Sequence, residues 1–207
     1  MTAGTKGQTP VTSTERRRSI RSHQAILAAT TQLLAEVGYT ALTIEGVATQ
    51  AGVGKATVYR WWPSKGALVI EAMSTTLEMI SVPETGDLRQ DLLAVGKGIV
   101  QTLAHTPAGA VISALAADLM RDPAMAEQFR KQVIRPRRSV ITQILHRAVD
   151  RGELPVNLDA ELLLDVYAGA IFYRVLVSGE PVTDLLVQQL VSLLLDGKAP
   201  VRPSAAR

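Results

Sequence analysis

Hydrophobic side chains recur three or four positions apart along most of this chain, which is the spacing of one face of an α-helix. The first predicted helix covers residues 15–37, with Thr14 placed to cap its start and Gly38 placed to end it. Its apolar stripe consists of Ile26, Leu27, Thr30, Leu33, Leu34 and Val37. Period-two alternation, the pattern of a half-buried strand, is hard to find. The pattern therefore predicts an all-α protein.

Two short predicted helices follow the first one and are separated by a tight turn. One covers residues 44–50 after the hydroxyl group of Thr43, and the other covers residues 55–61. Ala51 and Gly52 lie in the turn, where small side chains let the two helices cross closely. This arrangement is typical of a helix-turn-helix, whose second helix enters the major groove of DNA.

Proline, glycine and aspartate divide the rest of the chain into six further predicted helices. Their bounds are residues 65–80, 87–105, 107–120, 122–151, 158–177 and 181–195. Pro136 lies inside the longest of them and is expected to kink it, because proline removes one backbone hydrogen bond. The carbonyl group that loses its donor is a candidate acceptor for a polar ligand.

The second helix of the short pair presents cations, a hydroxyl group and aromatic rings on its outside. These side chains and their small neighbour are Lys55, Ala56, Thr57, Tyr59, Arg60 and Trp61. Lysine and arginine suit phosphates or guanine edges, alanine and threonine suit thymine methyl groups, and tyrosine and tryptophan suit the DNA backbone. We therefore predict that this helix contacts double-stranded DNA, and we expect Thr43 and Lys65 to lie at the same interface.

The positive charge of the chain is concentrated near its N-terminus. Residues 1–70 carry eight lysines and arginines against three acidic residues, whereas the other 137 residues carry 14 against 16. This asymmetry favours a polyanionic partner for the N-terminal third. Arg17 and Arg18 are expected to reach the DNA backbone or minor groove, the alternative being a solvated helix start. The second basic cluster is expected to be solvated or paired with helix acids, and it comprises Arg135, Arg137 and Arg138.

Composition argues against several classes of function. There is no cysteine, and the three histidines lack the spacing of metal ligands, so no metal site and no cofactor are predicted. No nucleophile motif or carboxylate pair stands out, which disfavours an enzyme. The N-terminus shows no signal peptide and no apolar run is long enough to span a bilayer. We expect a cytoplasmic protein with no membrane partner.

Residues 17–69 resemble the N-terminal domain of the TetR family of transcriptional repressors, starting with ILAATTQLLAEVGY in the first helix. The matching positions in the helix pair and beyond are Thr43, Val47, Ala48, Ala51, Gly52, Val53, Thr57, Val58, Tyr59, Trp62, Ser64, Lys65 and Leu68. Trp61 stands where the family most often has histidine, and Trp62 replaces the usual phenylalanine. Gly54, which has no capping hydroxyl, replaces the common serine. We expect Trp62 to keep the core role and Trp61 to remain on the phosphate side.

The last two predicted helices are apolar on most of their surface. A helix that is apolar all round must be buried on all sides, and a second copy of the chain is the natural partner. The resemblance implies the same, because in that family the last two helices of each subunit form a four-helix dimer interface. The residues expected in this interface are Leu163, Val166, Ile171, Phe172, Leu186, Leu190 and Leu194. The alternative is a monomer with an unusually large core.

The resemblance also implies an effector pocket enclosed by helices four to seven. The candidate lining residues are Met73, Leu77, Ile99, Leu103, Ile112, Leu115, Leu119, Phe129 and Val133. The alternative for each of them is an ordinary place in the core. The scarcity of aromatic residues and histidines favours a small apolar or mildly polar ligand over a metal chelate.

These features predict a disordered arm (1–13), a helix-turn-helix domain (14–66), an effector-binding and dimerisation domain (67–196) and a disordered tail (197–207). By the resemblance, the protein is expected to repress transcription by binding a palindromic operator as a homodimer. A small molecule is expected to release it by tilting the fourth helix, residues 65–80, which joins the two domains. The alternative is a structural DNA-binding protein of the nucleoid type that has no effector.

Overall fold

The computed structural model describes residues 13–76, 83–197 and 200, and within these ranges the chain is helical with no strand. Its α-helices are α1 (Ser13–Ala41), α2 (Ile44–Gln50), α3 (Lys55–Trp61), α4 (Lys65–Thr76), α5 (Leu88–His105), α6 (Ala108–Arg121), α7 (Pro123–Phe129), α8 (Arg135–Asp150), α9 (Ala160–Tyr173) and α10 (Asp184–Asp196). The π-helical turn Arg130–Ile134 joins α7 to α8, and the π-helical turn Arg174–Ser178 extends α9. The prediction of an all-α protein is confirmed.

The predicted arm up to residue 12, Leu77 and the predicted end of the fourth helix lie outside the described residues, as does most of the predicted tail. α1 already includes Ser13 and Thr14, so Thr14 is not the N-cap. Within the described ranges no single helix is both long and apolar enough to cross a membrane. α5 and α6 meet that description only as a pair, and this pair is bent by 79°.

α2 and α3 begin and end at the predicted residues. Thr43 has an extended backbone and its Oγ1 accepts a hydrogen bond from the N–H of Gly46 at 3.1 Å, which caps α2. Gly52 turns the chain towards α3 with a φ of +65°, a conformation that residues with a side chain rarely adopt. Gly54 precedes α3 without a side-chain cap, as its missing hydroxyl predicts. Gly38, with a φ of +73°, breaks α1 at the position where the sequence predicts its end.

The buried side chains form two hydrophobic cores. The first joins α1–α4 to α6 and α7, and it includes Trp62, Leu115 and Phe129. The second joins α5, α8, α9 and α10 around the fully buried Tyr167. The first core therefore extends well beyond residue 66, where the helix-turn-helix domain is predicted to end, and it joins α2 and α3 directly to α6 and α7.

The irregularity predicted at Pro136 is a π-helical turn. Pro136 lies in the first turn of α8, directly after that turn. There the N–H of Arg135 donates to the carbonyl of Arg130, five residues back instead of four. The wider spacing accommodates a proline nitrogen that has no proton to donate. The chain therefore continues as one helical segment from α7 into α8. The additional residue in the π-helical turn rotates the side chains of α8 about the helix axis relative to an uninterrupted α-helix.

Candidate functional site

α3 carries most of the side chains that are predicted to contact DNA, and they lie on the outside of the molecule. Val58 is the buried residue of this helix and packs into the first core. Tyr59 and Trp61 are 46% and 42% exposed although their rings are large. The other predicted contacts on α3 are exposed or half-buried, and they are Lys55, Ala56, Thr57 and Arg60. The helix thus offers an accessible surface that combines charge, a hydroxyl group and aromatic rings.

Lys55 has an acidic partner on α2 that sequence reasoning missed. Its ammonium group forms an ion pair with Glu45 and lies 5.7 Å from the centroid of the Tyr59 ring. The hydrogen bond between them lowers the pKa of the Glu45 carboxyl group and raises the pKa of the Lys55 ammonium. Because both groups are solvent-exposed, the pair is weak, and a DNA phosphate can take the place of the carboxylate.

Three other predicted DNA contacts lie on α1 or just before α2. Arg17 and Arg18 are exposed side chains near the start of α1. Thr43 uses its Oγ1 as the acceptor that caps α2, which leaves its hydroxyl proton available to a phosphate. All three are accessible, and contact with DNA stays a prediction for them.

Lys65 joins two helices, a role that the sequence does not indicate. Its Nζ donates to the carbonyl groups of Tyr39 at 2.9 Å and Thr40 at 3.4 Å, and it lies 4.5 Å from the centroid of the Tyr39 ring. The ammonium group thereby ties the start of α4 to the end of α1. Two of its three protons are engaged in this way, so the predicted contact between Lys65 and a phosphate would use the third.

The adjacent Trp61 and Trp62 have different environments. Trp62 is 1% exposed and its Nε1–H donates to Glu71 Oε2 at 2.8 Å, so its predicted core role is confirmed. His23 of α1 contacts both indoles, with ring centroids 4.8 Å from each. The His23 Nε2 lies 3.0 Å from Glu71 Oε1. His23, which pairs with Glu71, thus contacts the exposed ring of Trp61, and the sequence reasoning missed both residues.

A cavity of about 90 Å³ lies where the two hydrophobic cores meet. It is lined by side chains of α5, α6, α8 and α9 and by the π-helical turn before α8. Three of the residues predicted for the effector pocket, Ile99, Leu103 and Ile112, form part of its wall. Phe172, predicted for the dimer interface, also lines it, and together with Leu103 packs against the first core. The cavity therefore adjoins the core that supports α2 and α3.

The other predicted pocket residues that the structure describes do not line this cavity. Leu115, Phe129 and Val133 are buried in the first core, and Leu119 packs against it. Met73 lines a separate cavity of about 150 Å³ between α1, α4 and α6. These five side chains lie in the first core, against it or at this second cavity, so their place in an effector pocket stays a prediction.

The three arginines at the start of α8 have different roles. Arg135 and Arg138 form ion pairs with acidic residues of α7 and α9, as predicted. Arg137 instead lines the cavity, and its Nη1 donates to the carbonyl of Val133 at 2.6 Å. Burial lowers the pKa of its guanidinium group. Among the described residues Arg137 therefore lacks the predicted ion pair, and its half-buried side chain lies at a cavity where the sequence reasoning did not place it.

α9, its π-helical extension and α10 leave apolar side chains exposed. These are Leu162, Val166, Tyr173, Leu176, Val177, Leu185 and Leu193. On α9, Leu162, Val166 and Tyr173 are four and seven positions apart and so share one face. An exposed apolar face of this kind is typical of a protein–protein interface.

The predicted interface residues divide into two groups. Val166 is 44% exposed, and Leu163, Phe172 and Leu194 are half-buried. The remaining three belong to the second core of the same chain, with at most 8% of each residue exposed, and they are Ile171, Leu186 and Leu190. These three have no surface to offer a partner, so their assignment to the interface is corrected.

Two protein-family models match the chain. The model described as bacterial regulatory proteins, tetR family, matches residues 26–72, which hold α2, α3 and most of α1 and α4. The model described as tetracyclin repressor-like, C-terminal domain, matches residues 82–194, which hold the cavity and almost all of α10. The second match alone spans more than half of the chain.

Relatives that the chain matches over most of their length are also described as transcriptional regulators. The chain is 37% identical over 177 residues to the HTH-type transcriptional regulator YdeS of Bacillus subtilis, covering 85% of this chain and 89% of that protein. It is 30% identical over 173 residues to the DNA-binding transcriptional repressor TetR of Mycobacteroides abscessus, covering 83% and 90%. The solved structure of the TetR family transcription regulator SCO0332 superposes with a TM-score of 0.76, at 35% identity and with 87% and 100% coverage.

Proposed function

The chain belongs to the TetR family of transcriptional regulators, and we propose that it represses transcription as a homodimer bound to a palindromic operator. A small molecule that enters the cavity between the two cores releases the operator in this proposal. The family is one of regulators and not of enzymes. The proposed site of action is the chromosome, and therefore the cytoplasm.

The observation that carries the proposal is a continuous path of contacts from the cavity to the DNA-reading helices. Ile112 of α6 lines the cavity, and Asp118 lies six residues further along the same helix. Asp118 accepts a hydrogen bond from Tyr39 at the end of α1, which is one of the helices that support α3. A displacement of α6 would therefore also displace the end of α1, and with it the helices of the helix-turn-helix.

α7 provides a second contact with the helix-turn-helix side, through the start of α4. Gly66 packs so closely against the Met125 side chain of α7 that a Cβ atom on it would clash with the sulfur. Gln128 Nε2 also donates to the carbonyl of Ala67 at 3.2 Å. None of the described residues of α4 lines the cavity between the two cores. A tilt of α4, which the sequence predicts as the switch, would thus be driven through α6 and α7.

The exposed face of α9 and α10 supports the dimer. A protein that holds two recognition helices on one face of DNA needs a fixed distance between them, about one helical turn of 10–10.5 base pairs. An apolar face formed by Leu162, Val166 and Tyr173, remote in sequence from α3, can supply the rigid contact between copies.

Selection of bound sites from random double-stranded DNA by the full chain tests the proposal. We expect a palindrome whose half-sites are centred about one helical turn apart. The variant Arg60→Ala should lose the preference at one position of each half-site, whereas Lys97→Ala, which removes an exposed cation on α5, should select the wild-type sequence. Binding without any enriched sequence would contradict the proposal and favour a nucleoid-type protein.

A further inference from the structure

Arg137 is a cation in the wall of the cavity, and no acidic side chain in the described part of the chain forms an ion pair with it. Its neighbour Arg138 also lines the cavity but forms ion pairs with Glu161 and Asp165. Among the described residues no carboxylate forms an ion pair with Arg137, and its guanidinium donates only to the carbonyl of Val133. The half-buried guanidinium of Arg137 has five N–H donors, and a carboxylate could pair with it as Glu161 and Asp165 pair with Arg138.

The rest of the wall is almost entirely hydrophobic. Most of the lining side chains are aliphatic or aromatic, and the hydroxyl proton of Thr102 is donated to the carbonyl of Gly98 at 3.0 Å. Apart from the paired Arg138 and this hydroxyl, Arg137 is the polar side chain that faces the space. One cation in an apolar wall specifies a ligand with one anionic group and an apolar body.

The size of the cavity limits that body. Its volume of about 90 Å³ is smaller than the roughly 150 Å³ of an engineered cavity that binds benzene. A ligand with a ring or a short alkyl chain must therefore displace wall side chains such as Phe172, which packs against the first core. Large polyanions such as nucleotides are disfavoured both by volume and by the presence of a single unpaired cation.

We propose that the cavity binds a small organic carboxylate with an apolar body, and that the Arg137 guanidinium holds the carboxylate group. The planar guanidinium can donate two parallel hydrogen bonds to the two carboxylate oxygens. The carboxylate supplies the missing counter-ion, while Ile99, Ile112 and Phe172 contact the apolar body. This proposal rests on the proposed function, since it names the chemical class of the effector.

Matched probes of equal size test the proposal in the full-length protein. Hexanoate, hexanamide and hexylammonium are compared by calorimetric titration at constant ionic strength, with phenylacetate and phenylacetamide as a ring-containing pair. We expect each carboxylate to bind at least about ten-fold more tightly than its amide, because a charge-assisted hydrogen bond is roughly twice as strong as a neutral one. The ammonium probe should not bind.

Two variants separate the role of Arg137 from a general effect of charge. Arg137→Gln should remove the preference for carboxylates, and Arg135→Gln, which changes an arginine outside the cavity wall, should retain it. Arg137→Lys keeps the positive charge and tests the same point if Arg137→Gln fails to fold. In this variant the preference for carboxylates over amides should be weaker than in the wild type but still present. The proposal is overturned if amides bind as tightly as carboxylates, if Arg137→Gln keeps the preference, or if no probe binds at millimolar concentration.

The outcome for the proposed function is separate. If an operator is selected from random DNA but no carboxylate binds, the operator-binding repressor is supported and the proposed class of ligand is contradicted. If carboxylates bind in a way that depends on Arg137 but DNA binds without sequence preference, the carboxylate site is supported. The proposed operator-binding repressor is then contradicted.

Discussion

The hydroxyl group of Tyr39 donates a 2.5 Å hydrogen bond to Asp118 Oδ2 and so connects α1 to α6 across 79 positions of sequence. Tyr39 is 7% exposed, and burial, together with this bond to a carboxylate, raises the pKa of its phenol. The carbonyl of the same residue accepts from Lys65 at the start of α4. Three helices on the path between cavity and DNA therefore meet at Tyr39.

Tyr39→Phe should lower the free energy of unfolding by about 1.5–3 kcal/mol. The change removes one hydrogen bond to a charged group and leaves the Asp118 carboxylate without that donor. Urea unfolding followed by circular dichroism measures the loss. Tyr59→Phe, measured without DNA, is the matched control, because that tyrosine is 46% exposed on α3 and should keep the wild-type value. Equal stability of both variants would mean that the bond between α1 and α6 contributes nothing.

Tyr167 gives a prediction for alkaline pH. Its hydroxyl donates to the carbonyl of Leu92 at 2.8 Å, and burial raises the pKa of its phenol above the ordinary value of 10.0. The raised pKa means that folding favours the protonated phenol, so this contribution is complete below pH 10 and is lost as the pH rises above it.

In Tyr167→Phe the fall in the free energy of unfolding above pH 10 should be shallower than in the wild type, by up to about 1.4 kcal/mol per pH unit. Unfolding curves recorded between neutral pH and pH 11 measure the difference. Between pH 7 and 9 the gap between the two proteins should be constant, which serves as the internal control. Parallel curves above pH 10 would contradict the predicted linkage.

Glu45→Gln should tighten operator binding by about two- to five-fold at low salt. The carboxylate competes with DNA phosphates for Lys55, and its removal also takes a negative charge from the DNA-facing side. Fluorescence anisotropy with a selected operator, repeated over a range of salt concentrations, measures the gain. Glu36→Gln removes an exposed acid from α1 and controls for net charge. The same small change in both variants would show that Glu45 does not restrain Lys55.

Val166→Asp should prevent dimer formation, whereas Leu190→Asp should destabilise the fold of each protomer. Val166 is 44% exposed, so an aspartate there should give a folded monomer with much weaker operator binding. Leu190 is 7% exposed in the second core, so an aspartate there should destabilise the protomer itself by several kcal/mol. Light scattering combined with circular dichroism distinguishes the two results. Met120→Asp, at a residue that is 88% exposed on α6, should remain a folded dimer.

Local signals in the sequence were sufficient for the helix-turn-helix. The capping hydroxyl of Thr43 and the glycines at 52 and 54 act within a few residues, so α2 and α3 have the predicted bounds. The buried Trp62 was also predictable, because its position follows from a dense motif. His23 was not, because its contact with Trp62 depends on how α1 crosses α3 and not on neighbouring residues.

The cavity was predicted only in part, because periodicity shows that a residue is buried but not whether it borders a cavity. Leu115 and Ile112 lie on the same helix and both belong to the first core, yet Ile112 also lines the cavity and Leu115 does not. Arg137 and Arg138 are neighbours in sequence and both line the cavity, but among the described residues only Arg138 has carboxylate partners. Both follow the π-helical turn, which the sequence marks only by Pro136.

The link between cavity and operator is tested most directly by measuring the affinity for a selected operator with and without saturating hexanoate. In the wild type we expect hexanoate to weaken operator binding by about five-fold or more, in the range of ordinary allosteric coupling. In Arg137→Gln the same concentration should leave operator affinity unchanged. A wild-type protein that binds hexanoate and operator together, with neither affinity altered by the other ligand, would contradict the proposed switch.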